Sequence, residues 1–275
     1  MAKNLKNYED LTFTDDFMFC KIMANNPELC KELLELILDC KIRKIELSEE
    51  QKQINMTYDG RGVRLDVYVE DDAHTVYDVD MQMRKDNLPK RMRYYQGMID
   101  LNLLNKGALF KDLKKSYVIF LCVFDLEPNG KNLPIYHFKP LCLEDPSIVL
   151  EDDTVKVIVN AKGSREGLSK ELRAFLDYLL NRSTESDLTR ALEREVVTAR
   201  KHEEWSVEYM TMKMKIAEER EEAKEEARKE VRNELQPKID AEKSRADRAE
   251  SRADFAEAEI VRLKELLRLN GVTAS

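Results

Sequence analysis

The chain has 275 residues, 43% of them hydrophobic and 36% charged, with a formal net charge of −8. That length holds one good-sized domain and an appendage. An isoelectric point near 5.3 excludes nucleic-acid binding through overall charge, so such binding would need a local basic patch. Five cysteines with no CxxC pair argue against a zinc site. No apolar run approaches the ~18 residues of a membrane span. With no signal peptide visible, a cytoplasmic, reducing setting without membrane partners is expected.

The first element is a helix capped by Thr14 or Asp15, with Phe19, Ile22 and Met23 on its apolar face. Asn25-Asn26-Pro27 ends it, and Pro27 opens a second helix, Glu28 to Leu38, with Leu29, Leu33, Leu34, Ile37 and Leu38 at helical spacing. Cys20, Cys30 and Cys40 stand ten apart among apolar residues, where free thiols pack as small hydrophobes. Gln53 to Tyr58 is read as a first strand, with Asp59-Gly60 as its turn and Gly62 as a close-packed entry to the next.

Val63 to Met83 is a hairpin. Val63, Leu65, Val67 and Val69, then Tyr77, Val79, Met81 and Met83, alternate with polar residues at period two. A turn made of Asp72, Ala73 and His74, with Asp71 facing Thr75, sets Val67 against Val79 and Leu65 against Met81. It also sets Asp66 against Asp80 and Arg64 against Gln82. Directly opposed residues lie about 4.5–5.5 Å apart at Cβ, close enough for two carboxylates to share a divalent ion. Like charges so opposed repel, and Mg²⁺, commonly held by one or two carboxylates, removes the penalty. The alternative is that Asp66, Asp78, Asp80 and Gln82 form only the wet face of an amphipathic hairpin.

Leu88-Pro89 then opens a helix to about Leu104, with Met92, Tyr95, Ile99 and Leu103 on one face. Arg84, Lys85, Lys90, Arg91 and Arg93 gather before and within its first turns. They form the local basic patch that the net charge does not supply, and Tyr94 adds a hydroxyl. Tyr117 to Phe124 is a continuous apolar run, the mark of a strand buried on both faces. Pro134 to Phe138 and Thr154 to Val159 are shorter strands, the first with His137 as a packed or edge residue. His74, in the turn, is expected in solvent or near the site. Helices resume at Gly167, with Leu168, Leu172, Phe175, Leu176, Leu179 and Leu180 on one face, then Leu188, Leu192 and Val196 on another.

From about Lys201 one long polar helix follows, docked at its start by Trp205 and Tyr209. Gln236-Pro237 is expected to break or kink it. Beyond the proline, S-R-A-D-R-A-E and S-R-A-D-F-A-E repeat, and Ala246, Ala249, Ala253, Ala256, Ile260, Leu263 and Leu267 keep heptad spacing. Two readings stand open: a short coiled coil over residues 238–269 that forms a homodimer, or a single helix laced by ion pairs. The expected division is a domain at 1–205 and a charged helical tail at 206–275.

Taken in order, F-T-D-D-F-M-F-C-K-I-M, R-L-D-V-Y-V-E, V-Y-D-V-D-M-Q-M and L-P-K-R-M-R-Y-Y-Q resemble the PD-(D/E)xK nucleases of the transposase-like, recombination-promoting kind. The match runs from about Leu11 to Leu104, weakens through Leu180, and returns in the charged tail. The resemblance implies an α/β, restriction-endonuclease-like mixed sheet flanked by helices, and a DNA endonuclease using Mg²⁺, with Mn²⁺ as a substitute. It places the first metal carboxylate at Asp66, the second acidic position at Asp80, where Glu is usual, and the lysine position at Gln82. Asp16 matches an acidic residue of the N-terminal block.

On this reading Asp66 and Asp80 ligate the metal, the Met81 backbone carbonyl adds a ligand, and Gln82 positions water without acting as a base. Arg84, Lys85, Lys90, Arg91, Arg93 and Tyr94 bind DNA, and Lys85, Arg91 or Arg93 stands in for the missing lysine charge. The two departures also suit a catalytically weak relative that binds DNA, or an oligomeric scaffold.

Overall fold

The computed structural model describes residues 6–54, 63–104 and 108–269, and the side chains of these except at 47–54, 63–65 and 267. The elements run α1 (Asp16–Asn25), α2 (Pro27–Leu38), β1 (Ile45–Ile54), β2 (Val63–Asp71), β3 (Val76–Gln82) and α3 (Leu88–Leu103). They continue with β4 (Ser116–Cys122), β5 (Ile135–Phe138), β6 (Thr154–Asn160), α4 (Lys170–Asn181), α5 (Asp187–Ala199) and α6 (Glu203–Leu269). The six strands form one mixed sheet in the order β1-β2-β3-β4-β6-β5. The β3, β4 and β6 strands are parallel neighbours, and the other pairs are antiparallel. This is the mixed, helix-flanked α/β architecture expected. The chain divides into two units, Met1–Met210 and Thr211–Ser275.

Parallel strands are covered on both faces, and β3 and β4 follow that rule. Every residue of β3 is buried, and β4 is buried except for the half-buried Tyr117. On one face Tyr68, Val118, Phe120 and Ile158 pack with Leu88, Met92 and Ile99 of α3. On the other, Val67, Val79, Ile119, Leu121, Val157 and Val159 are equally buried. The wet face allowed to the hairpin therefore does not exist: Asp66, Asp78, Asp80 and Gln82 are all buried. Period two identified the strands but could not show that a helix would cover their polar side.

Helices α1, α2, α4 and α5 contact one another, and α1 and α2 also meet β1. The Tyr8 hydroxyl donates to the Ala199 carbonyl at 2.5 Å, and Arg200 Nε donates to that of Leu11 at 2.8 Å. The start of α6 docks as its aromatics predict. Tyr209 is buried against Tyr8 and Phe17, and its hydroxyl donates to the Lys6 carbonyl. Trp205 stacks on His202, and the buried Lys21 ion-pairs with Glu208 at 2.7 Å.

Four expectations need correction. The first strand begins at Ile45 rather than Gln53; as the polar edge strand of the sheet it shows little apolar alternation, and residues 55–62, with the proposed Asp59-Gly60 turn and Gly62, lie outside the described residues. Asp15 occupies the N-cap of α1, yet its carboxylate accepts from the Thr12 N–H and hydroxyl instead of capping the helix. Cys20 and Cys30 are buried, but Cys40, two residues past the end of α2, is exposed. Finally, Pro237 does not break α6, which runs on through it; proline forfeits one hydrogen bond, and the helix on either side carries it across. No helix among the described residues is long and apolar enough to cross a membrane.

Two glycines give opposite predictions. A Cβ on Gly163 would lie 2.5 Å from the Pro134 Cα and 2.6 Å from the Leu133 carbonyl oxygen, both immovable backbone atoms. Gly163→Ala should therefore cost about 2 kcal/mol or more, in the range of overpacked sites. Gly97, exposed within α3, has nothing within 4 Å, and Gly97→Ala should gain roughly 0.5–1 kcal/mol. Urea unfolding of the two variants would check both signs.

Candidate active site

The site is set by the turn between β2 and β3. One oxygen of the Asp71 carboxylate accepts the N–H groups of Ala73 and Thr75 at 2.9 and 2.8 Å, and the other accepts the Tyr77 hydroxyl at 2.8 Å. His74 takes the left-handed conformation, with φ of 61°. The turn is thus Asp72-Ala73-His74, with the Asp71 N–H donating to the Thr75 carbonyl. The ladder pairs Glu70 with Val76, Val69 with Tyr77, Tyr68 with Asp78 and Val67 with Val79, the expected register. Continued by one residue, it brings Asp66 to Asp80.

At that point side chains replace the backbone ladder. The Asp66 N–H donates to Asp80 Oδ1, and the Met81 N–H donates to Asp66 Oδ2, each at 3.0 Å. Each carboxylate is held by the other strand. Both line an open cleft of about 380 Å³, with Asp16, Gln82, Arg84 and Arg91 among its other walls. Asp16, in the first turn of α1, brings a carboxylate oxygen within 4.8 Å of ligand atoms of both Cys20 and Asp66.

Electrostatically the cluster is loaded. Burial first, then the charges of Asp80 and Asp16, hold the Asp66 carboxyl well above the usual carboxylate range. Burial and the neighbouring Asp78 do the same to Asp80. Asp78 is fully buried, neither of its oxygens has a hydrogen-bond partner, and burial and the Asp66 charge raise it as well. Crowded oxygen donors that raise one another's proton affinity fit a hard divalent cation, which relieves the repulsion; the Cys20 thiol adds one softer donor.

The structure separates the basic residues expected to act together. Arg91 turns into the cleft, where Nη1 donates to Gln82 Oε1 at 2.5 Å and Nη2 to the Tyr95 hydroxyl at 2.8 Å. Nη2 also lies 3.9 Å from Asp80 Oδ2. Arg84 lines the cleft from its exposed rim, while Lys85, Lys90, Arg93 and Tyr94 are exposed and outside its lining. His74 pairs with Glu70 in solvent, away from the cleft. Three contributors went unread in the sequence: Cys20, Asp86 and Tyr95. Cys20 follows Asp16, and Tyr95 follows Arg91, by four residues, so helical spacing alone could have joined each to its partner.

A family profile described as PD-(D/E)XK nuclease family transposase matches residues 13–244. No curated protein and no solved structure matches the chain.

The raised carboxyls make a prediction for metal-free protein. A carboxyl whose folded-state pKa exceeds its unfolded value favours folding at low pH, and that contribution is lost as pH rises through the raised value. Stability in EDTA should therefore fall as pH rises above the ordinary carboxylate range near ~4. Asp80→Asn keeps a carbonyl for the Asp66 N–H and removes one charge. It should raise the melting temperature in EDTA at pH 8 by a few degrees, on the order of 1–2 kcal/mol. A lower melting temperature would contradict the charge assignment.

Proposed function

Because the chain belongs to the PD-(D/E)XK nuclease family transposases, we propose that it is a DNA endonuclease whose divalent ion, Mg²⁺ or Mn²⁺, is held by Asp66 and Asp80. The observation that carries this reading is the buried, cross-bonded pair of carboxylates at the wall of an open cleft. Asp16 and the Met81 carbonyl complete the protein donors. When bound, such an ion lowers the pKa of coordinated water and neutralises phosphate charge. Hydrolysis forms a P–O bond from water oxygen and breaks the P–O bond to the leaving sugar oxygen, which takes up a proton.

The chain's own residues do the rest. Gln82 commits its carbonyl oxygen to Arg91, so its amide N–H₂ is the end left to orient water as a donor. An amide cannot serve as a useful base. Arg84, Lys85, Lys90, Arg93 and Tyr94, exposed at the rim and on the neighbouring loop and α3, grip the phosphate backbone. The match to transposases supports a role in DNA recombination.

The test is a supercoiled plasmid incubated with Mg²⁺ or Mn²⁺. Wild-type protein should nick or linearise it, and Asp66→Ala and Asp80→Ala should lose at least about 100-fold in rate, as for loss of a principal electrostatic stabiliser. Equal cutting by all three would mean a contaminating nuclease. Metal-independent binding with no cutting would favour the DNA-binding reading, to which Asp at the Glu position and Gln at the Lys position lend themselves. Neutralising Lys90 and Arg93 together should flatten the log–log salt dependence of DNA binding by about 0.9 per lost contact.

We also propose that the tail dimerises. Ile260 and Leu263, on the heptad seam, are about half exposed, and Leu267 lies outside the described side chains. Full burial is worth roughly 1.5–3 kcal/mol per such side chain, enough for a marginal, concentration-dependent dimer. Light scattering should show a lower mass for Leu263→Asp than for wild type. Equal masses would leave the tail a solvated helix.

A further inference from the structure

The cleft combines the carboxylates of Asp16, Asp66, Asp80 and Asp86 with one guanidinium, Arg91, set in its wall behind the exposed Arg84. Arg91 is built to be immobile. It spends two N–H groups on Gln82 Oε1 and the Tyr95 hydroxyl, and its guanidinium carbon lies 5.4 Å from the ring centres of both Tyr95 and Phe120. Its side chain is nevertheless 33% exposed, so part of the guanidinium still faces the cleft. A guanidinium carries five N–H donors; two are engaged in these bonds, which leaves donors for a ligand. Its separation from Asp80 Oδ2 is 3.9 Å, beyond hydrogen-bonding distance. The two groups form a long ion pair, which commits none of the Arg91 N–H groups to Asp80.

A salt bridge to Asp80 would be the simpler role, but at 3.9 Å the pair is long and unforked. An arginine recruited to neutralise Asp80 would meet it in a short, forked contact. Instead the fork is held sideways by two neutral oxygens, which fix its direction without cancelling its charge. Gln82, at the position where the PD-(D/E)XK pattern has lysine, contributes no charge and acts as the bracket. We propose, resting on the nuclease reading above, that Arg91 is a catalytic residue whose free N–H groups bind a non-bridging oxygen of the scissile phosphate, with Gln82 and Tyr95 as its positioning residues. The positive charge absent from the β3 strand is thus supplied from one turn inside α3.

The experiment uses the full-length protein, wild type, Arg91→Ala, Arg91→Lys and the double variant Gln82→Lys/Arg91→Ala. Manganese affinity is measured by calorimetry, plasmid cleavage by rate, and binding of a short DNA duplex in Ca²⁺ by fluorescence anisotropy against salt. Arg91→Ala should bind Mn²⁺ no more weakly than wild type, because a cation near Asp80 opposes metal binding. It should cut about 100- to 1000-fold more slowly, the scale for loss of one such donor. Its log–log salt slope should fall by about 0.9, one phosphate contact.

Added guanidinium should restore part of the rate to Arg91→Ala, and the double variant should recover at least about tenfold over it. Neither recovery follows if Arg91 only braces the fold. Arg91→Lys, keeping charge but losing the fork, should fall between. An unchanged salt slope overturns the proposal, as does a loss of manganese affinity that parallels the loss of cutting. If the wild-type protein never cuts, the nuclease reading falls, and the salt slope alone decides whether Arg91 meets phosphate.

Discussion

Two hydrogen bonds between side chains and backbone, Asp66 N–H to Asp80 and Met81 N–H to Asp66, hold the site of this protein together. They take the place of backbone pairing where β2 and β3 cease to form a ladder, and they fix both carboxylates without engaging all of their oxygens. Such bonds require the register to be right to the residue, because a slip of one position would turn every side chain to the opposite face. The register is secured at the far end of the hairpin, where the Asp71 carboxylate closes the turn. It is secured again by β4, whose apolar residues align in parallel beside β3 from Val76 to Gln82.

The arrangement works against stability. Carboxylates taken out of water lose hydration that their neighbours' like charge cannot return. The pair is tolerable because the flanking sheet is apolar on both faces and the helices are pinned independently, by Tyr8 on Ala199 and by Lys21 on Glu208. Perturbed titration of clustered groups in a cleft is a common sign of function. Arg91 fits the same logic from the opposite side. Aromatic rings and two neutral acceptors hold its guanidinium, 3.9 Å from the nearest Asp80 oxygen.

Much of this was legible in the sequence. Alternation gave β2 and β3, the polar triplet gave the turn, and the two together placed Asp66 opposite Asp80. The apolar run gave β4, and Leu88-Pro89 gave the start of α3. What could not be read was depth. Periodicity distinguishes two faces but does not say what covers them, so the acidic face looked wet until α3 was seen to pack over its neighbours. Lateral contacts were equally silent. Asp16 and Asp66 are fifty residues apart in a chain of 275, and only the packing of α1 beside β2 brings Cys20 into their company. The basic cluster read as one surface, whereas the helical rotation between Lys90, Arg91 and Arg93 sends Arg91 inward and leaves the others out. The polar edge strand β1 was misplaced for the converse reason, since an edge strand can form with little alternation to betray it.

Everything proposed for the cleft depends on Asp66 and Asp80 sharing one divalent ion. Crystals grown in Mn²⁺, with anomalous diffraction recorded at the manganese absorption edge, test it most directly. One strong anomalous peak should appear in the cleft, within about 2.0–2.3 Å of an oxygen of each carboxylate, close to the distances of small divalent ions. A peak held by Asp16 and Cys20 without Asp80, or none in the cleft while ions bind elsewhere on the protein, would contradict it.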